Sequence, residues 1–449
     1  MATKLNRCWT QIRSRALLWD TITTTGWSTL SKSVGFLVPF FIAAWFGVTS
    51  ETDAFFFAYG LILFFSGIFA PVVESIIVPY IAVARAKNED IGEFVGKILC
   101  VSSIGLLVLT GIVLLVIKPI LSLITHFDAQ TLGLIYQLLI ETAPLIILLT
   151  WTSILAGTLN AYKKFIFPAV SPAFRAIINL SIIFIFKDTL GVHAIAFGYV
   201  VSEVMRLAIL ASVIKRLNLF KLGLSFQFDF KLREFIRTTS YQAIGMVAVG
   251  LNLIIDKAMA SWLGKGSVSV LHYAGMLYML PISFMCVGLF PVVLSHWSND
   301  YYQKEEKDLL LQKVKGTAKL LLRVSLVIFL VLFLLRQPLV HIVFARGKFN
   351  PKYLRILQWT FICYLFGLTP YVTGSMFTRA HLVLKNTSFL MKLGILNCFL
   401  NVLLNYILMQ FIGIAGIALS TSITVSIVTI LLFISFSQKT RKTYGKERL

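Results

Sequence analysis

The sequence has 449 residues, of which 58% are hydrophobic and 13% charged, with a mean hydropathy of +0.85. Soluble domains carry about 45–50% apolar and about 25% charged residues, so one water-exposed globular core is excluded and lipid must cover much of this chain. The net charge of +22 falls in short segments between apolar runs, which points to topology and anionic lipid headgroups and away from nucleic acid.

The chain opens with a basic stretch, residues 1–21, that includes Lys4, Arg7, Arg13 and Arg15. It leads into TITTTGWS, with no short apolar core or small-residue cleavage site, so it reads as a retained cytoplasmic segment with Trp9 and Trp19 at the headgroups. Apolar runs near the ~20-residue bilayer length follow. They are expected at 22–47, 53–84, 95–117, 132–158, 166–186, 191–214, 235–263, 269–295, 317–335, 354–378, 387–411 and 413–436. The second and eighth are long enough to tilt or break, and each contains proline: Pro71 and Pro79, then Pro281 and Pro291.

The fold class is therefore all-α integral membrane protein, with about 12 transmembrane helices in two six-helix lobes. The domains predicted are a basic N-terminal segment 1–21, a lobe 22–216, a basic linker 217–234, a lobe 235–437 and a basic tail 438–449. With both termini cytoplasmic, the inner segments hold roughly thirty of the 41 Lys and Arg and the outer loops about eight, which is the expected bias for a multi-pass protein of the cell membrane. One outer loop runs against it, with Arg336, Arg346, Lys348, Lys352 and Arg355.

Five cysteines without a C-x-x-C pair and six scattered histidines give no disulfide framework and no metal site, so no resident cofactor is expected. Coupling to a proton, a sodium ion or the membrane potential stays open, as does the oligomeric state. No nucleophile motif or phosphate-cradling glycine loop appears, and the outer loop RQPLVHIVFARGKFNPKYLR contains no acidic residue. Enzymatic function is rejected on that basis.

The halves repeat. NLSIIFIFKDTLGVHAIAFG from Asn179 resembles NVLLNYILMQFIGIAGIALS from Asn401, and the shift of 222 positions recurs between Gly191 and Gly413. An even number of spans per half makes these parallel repeats, with a pseudo-two-fold axis along the membrane normal and a substrate path between them.

Charges inside spans each need a reason, since one at the bilayer centre costs at least ~2.5–3.5 kcal/mol. Lys32 lies on a polar stripe with Ser28, Ser31 and Ser33, and is either a phosphate contact or a lysine reaching the headgroups. Glu74, between Pro71 and Pro79, is either an ion-coupling carboxyl or a hydrogen-bonded acid fastening a broken helix. Asp256 and Lys257 are adjacent, so one can face a cavity while the other pairs with a neighbouring helix. Glu203 and Arg206 have the spacing of a structural pair, and Arg175, after the S-P-A-F turn, is a further structural or coupling charge. Asp53, at a span start, has helix capping as its default role, and Phe55, Phe56, Phe57 and Tyr59 read as packing.

Four stretches then resemble one family in order along the chain. They are SKSVGFLVPFFIAAWFGVTSETDAFFFAYGL, LAGTLNAYKKFIFPAVSPAFRAIINL, LNLIIDKAMASWLGKGSVSVLHYAGMLYMLPISFMCVGLFPVVLS and VFARGKFN. They are similar to the MurJ/MviN lipid II flippases of the MOP exporter superfamily, whose members usually have fourteen spans. The resemblance implies two six-helix lobes around a cavity and alternating-access export of an undecaprenyl-linked oligosaccharide or peptidoglycan precursor. It also implies cavity cations that hold a pyrophosphate. Carried over by motif, Lys32 keeps one cation, whereas family arginines fall at Val38, Ser66 and Met276. Asp53 matches a family aspartate, and Asp256-Lys257 stands where an Asp-Arg pair is frequent. The cavity set is thus Lys32, Asp53, Ser66, Glu74, Asp256, Lys257 and Met276, and the implied partner a polyprenyl-phosphate-linked saccharide, with the missing arginines favouring one other than lipid II. The alternative is an ion-coupled, MATE-like exporter of small organic molecules, against which Lys32 and Lys257 argue mildly.

Overall fold

In the computed structural model the described residues are 2–86, 90–219, 230–287, 307–384 and 386–446. Among them the chain is helical with no strand, as lipid demands, because an apolar solvent offers backbone N–H and C=O groups no partner outside their own helix. The first half holds α1 (Ala2–Phe46), α2 (Ser50–Ala86), α3 (Ile91–Ile124), α4 (Ala129–Thr142), α5 (Pro144–Ala161), α6 (Ile166–Leu190) and α7 (His193–Arg216). The second holds α8 (Phe230–Ser261), α9 (Ser267–Val287), α10 (Lys307–Leu334), α11 (Arg336–Phe344), α12 (Pro351–Leu365), α13 (Leu368–Val383), α14 (Thr387–Ile412) and α15 (Ile414–Lys446). Eleven stretches among the described residues are long and apolar enough to cross a membrane, and α8 covers the seventh expected span. Large apolar side chains such as Leu115, Leu123 and Phe411 stand about four-fifths exposed, as a lipid-facing surface requires.

Several local expectations change. The basic N-terminal segment continues directly into the first span as one helix. The second span is not broken: α2 runs through positions 71 and 79 without interruption. The fourth and tenth spans are instead each divided, between α4 and α5 and between α12 and α13. Pro144 opens α5 at a position where its missing N–H costs nothing. At the second division, a Cβ on Gly367 would stand 2.7 Å from the Ser422 hydroxyl, so close packing demands glycine there. The S-P-A-F stretch before Arg175 is not a turn, since Pro172 lies inside α6. The basic linker lies largely outside the described residues, as do Pro291 and the last residues of the tail.

The repeat is visible in backbone angles. Gly191 ends α6 at φ 56, ψ −135, and Gly413 ends α14 at φ 58, ψ −133. Both lie in a region that only glycine occupies without strain, which is why the residue recurs at that offset. The next helix begins within two residues of each of them, as α7 and α15.

Contacts divide the chain into two compact units. Unit 1 comprises Met1–Val38, Phe65–Ile117 and Gln137–Ile244; unit 2 comprises Pro39–Phe64, Lys118–Tyr136 and Gly245–Leu449. Unit 2 therefore holds the second half of the chain plus two helix–loop–helix segments from the first. In unit 1, Val73, Ile77 and Ile81 of α2 pack with Val95 and Ile98 of α3, Ile154 of α5 and Phe235 of α8.

Candidate functional site

In unit 1 four of the intramembrane charges lie close together. Glu203 of α7 is fully buried, and its carboxylate accepts from Arg175 Nη1 of α6 at 3.0 Å and from Arg206 Nη1, one turn on, at 3.3 Å. Arg206 also donates through Nε to Ser171 Oγ of α6 at 3.0 Å. Glu74 of α2 accepts from Asn160 Nδ2 of α5 at 3.3 Å, and Arg206 is close enough to act on its charge. Gly157 makes this approach possible, because a Cβ there would stand 2.5 Å from Ile77 and 3.3 Å from the Glu74 carbonyl. One buried carboxylate and two guanidinium groups thus form an ion-paired network with Glu74 near by, the arrangement that makes intramembrane charge tolerable. The expected Glu203–Arg206 pair is present, and Arg175 joins it.

Other predicted positions in unit 1 stand apart from that network in character. Lys32 is exposed, beside Ser31, which is buried and donates to the Val170 carbonyl at 3.5 Å. Ser66 and Val38 are both buried.

Unit 2 contains a cavity of about 360 Å³ lined in part by Asn252, Asp256, Lys257, Met276, Asn397 and Asn401. Three of the predicted residues, Asp256, Lys257 and Met276, meet here. Asp256 Oδ1 accepts from Asn405 Nδ2 at 2.7 Å, and Asn405 also donates to Asn401 Oδ1 at 3.2 Å. Lys257, only 4% exposed, turns its ammonium to the Phe56 carbonyl of α2. Gly60, one turn on, clears the way, since a Cβ there would stand 2.5 Å from Nζ. The adjacent charges therefore take separate partners while lining the same cavity. Phe56 in turn stacks on His272 with ring centroids 4.0 Å apart, and Phe55, Phe56 and Phe57 are fully buried, in keeping with packing.

Asp53 sits elsewhere in unit 2. Its expected role as a cap for its own helix is not what the structure shows, because Thr49 Oγ1 takes that place by accepting from Thr52 N at 3.2 Å. Asp53 instead caps α9: its carboxylate accepts from Gly266 N, Ser269 N and Ser269 Oγ. The first N–H groups of a helix lack intrahelical partners, and a carboxylate there meets both those donors and the positive end of the helix dipole. Around it the unit is tightly laced. Trp262 Nε1 donates to the Ile124 carbonyl, and Lys348 N donates to the Ala44 carbonyl at 2.8 Å. The F-A-R-G-K motif supplies that last contact. Gly347 lies so close to Ala44 that a Cβ would overlap its carbonyl oxygen.

Sequence reading missed Asn160, Ser171, Asn252 and Asn405, and a signal for part of this was available. Asn397, Asn401 and Asn405 recur every four residues on α14, which puts an amide stripe on one face of an otherwise apolar helix.

Helices long enough to span lipid, a duplicated pattern and buried ionic networks within the bilayer define a multi-pass membrane transporter with the MOP exporter fold. The same fold is found in a solved structure described as "Lipid II flippase MurJ, inward closed conformation". It superposes with a TM-score of 0.79 at 24% identity, over 93% of this chain and 87% of that one. A multidrug resistance MATE family transporter of the MOP superfamily superposes with a TM-score of 0.77 at 15% identity, over 94% and 95% of the two chains. Residues 42–448 match the family described as "Lipid II flippase MurJ", and the chain belongs to that family. Relatives include the probable lipid II flippase MurJ of Buchnera aphidicola subsp. Acyrthosiphon pisum (strain APS), 26% identical over 96% of this chain and 84% of its own length. Another is the lipid II flippase MurJ of Burkholderia cenocepacia, 25% identical over 95% and 84%. The chain is accordingly a transporter and not an enzyme.

Proposed function

We propose that this chain moves a polyprenyl-pyrophosphate-linked saccharide from the inner to the outer leaflet of the cytoplasmic membrane by alternating access, with both termini in the cytoplasm. The observation that carries the reading is the family match over residues 42–448. The cargo is a lipid-linked surface-glycan unit or a peptidoglycan precursor. Neutral residues at Val38, Ser66 and Met276 favour the former, because they remove the planar guanidinium forks that grip a pyrophosphate bidentately. Glu74 in unit 1 and Asp256 in unit 2 are the carboxyls through which a proton or sodium gradient, or the membrane potential, couples to the cycle. The Asp53 cap on α9 belongs to the outer side in this topology and fixes the start of that helix there.

The test is reconstitution of the full chain into vesicles with a fluorescent undecaprenyl-pyrophosphoryl disaccharide, read by exposure of the label to a membrane-impermeant quencher. Wild type should accelerate leaflet exchange. Asp53→Asn, which keeps the shape and loses the charge-assisted bonds to the α9 donors, should alter that rate by about tenfold. Failure of the wild-type protein to move this lipid, with transport of an organic cation instead, would replace the reading by the MATE-like one.

A further inference from the structure

We infer that the cavity in unit 2 is a binding site for an uncharged, polyhydroxylated ligand: the saccharide portion of the cargo, as distinct from its pyrophosphate. This rests on the flippase reading and assigns the cavity a role within it. Four observations converge.

The first is the state of the charges. Asp256 is held by Asn405, and the Lys257 ammonium is turned to the Phe56 carbonyl. Met276 adds a neutral thioether to the wall. Asp256 and Lys257 line the same cavity and their opposite charges offset, so the cavity offers an anion little net counter-charge.

The second is the comparison of the repeats. The offset of 222 that joins Asn179 to Asn401 pairs Arg175, Glu203 and Arg206 with Asn397, Val425 and Val428. The ionic cluster of unit 1 is therefore replaced by an amide and two alkyl groups, of which Asn397 and Val425 line the cavity. One copy of an ancestral segment keeps charge, and the other presents neutral polar and apolar surface.

The third is unmet hydrogen-bonding capacity. Asn252 Nδ2 donates to Asn397 Oδ1 at 2.6 Å, which leaves Asn252 Oδ1 buried with no partner. Thr424 Oγ1, on the same lining, is likewise buried without one. Buried polar atoms are paired in native proteins unless a ligand or solvent completes them. An acceptor amide and a hydroxyl that can donate or accept suit sugar hydroxyls, which do both.

The fourth is aromatic. Tyr278 and Tyr364 lie nearly parallel, 18° apart with centroids 5.3 Å apart, and Tyr371 meets Tyr278 at 79°. All three line the cavity. A pyranose ring shows a C–H face that packs on aromatic carbon while its rim of hydroxyls reaches polar groups, and tyrosine provides an apolar body beside a polar tip. The volume, about 360 Å³, falls in the range of small-ligand sites.

The test uses the full chain in lipid nanodiscs with methyl glycosides of glucose, galactose and N-acetylglucosamine as probes, followed by saturation-transfer NMR and tyrosine fluorescence. Wild type should bind at least one glycoside saturably. Thr424→Val and Asn252→Ala should each weaken that binding about 3- to 10-fold, the worth of one neutral hydrogen bond. Thr424 Oγ1 has no protein partner, so Thr424→Val should leave the melting temperature equal to or above that of wild type. A purely structural threonine would show no change in binding. Absence of saturable binding to all three probes, or unchanged binding in both variants, would overturn the inference, as would a response to sodium chloride alone. Leaflet exchange of the labelled lipid is measured in parallel. Binding without exchange would remove the flippase reading and leave the cavity, whereas exchange without binding would remove the cavity alone.

Discussion

Removing the carboxylate of Glu203 should expose how the unit 1 cluster holds together. Glu203 is fully buried and bridges Arg175, whose side chain is 27% exposed, and Arg206, 15% exposed. Glu203→Gln keeps the volume but removes the carboxylate that both guanidinium groups share. Breaking a buried pair from one side costs about 3–5 kcal/mol, and the lower end applies because both arginines are only partly buried. The expected loss is therefore about 3 kcal/mol, read by equilibrium unfolding in mixed micelles. The control follows from the same physics. Replacing the whole triad by Arg175→Met, Glu203→Leu and Arg206→Met removes the desolvation cost together with the attraction, and should recover at least about half of that loss. A Glu203→Gln variant within about 0.5 kcal/mol of wild type would refute the bridging role, as would a triad replacement less stable than the single variant.

The repeat gives a paired prediction: Gly191→Ala and Gly413→Ala should each cost about 1–3 kcal/mol, and the two costs should agree, since φ and ψ match and no neighbour crowds either site. Unequal losses in thermal unfolding would show that the two positions bear different strain. At the α3–α4 loop, Asp128 accepts from Thr131 N at 2.7 Å and lies 3.7 Å from Lys265, and these contacts, the Thr131 bonds foremost, hold its carboxyl below its ordinary value of 3.8. A depressed carboxylate contributes stability above its unfolded-state pKa and loses it as pH falls through the folded value. Thermal stability followed from neutral pH to about pH 3 should therefore fall less steeply in Asp128→Asn than in wild type.

The spans were legible because bilayer thickness writes itself into run length, and Gly191 and Gly413 were legible because only one residue type tolerates their geometry. Partners across helices were not. That Glu203 and Arg206 would meet followed from spacing on one helix. That Arg175 would complete the triad depended on α6 packing against α7, which no local pattern encodes. Asp53 shows the same limit: an acidic residue at a span start looks like a cap for the helix it begins, and only tertiary packing assigns it to α9. Lys257 reaches a carbonyl on α2 because Gly60 leaves room, a relation 197 positions apart in the chain.

The Asp53 contact also bears on biosynthesis. The donors at the start of α9 are answered by a side chain made 213 residues earlier. That opening turn is complete only after α2 has docked, long after the ribosome has passed it. Seating of α9 therefore depends on α2, and a fragment starting at α8 would lack the carboxylate that caps α9.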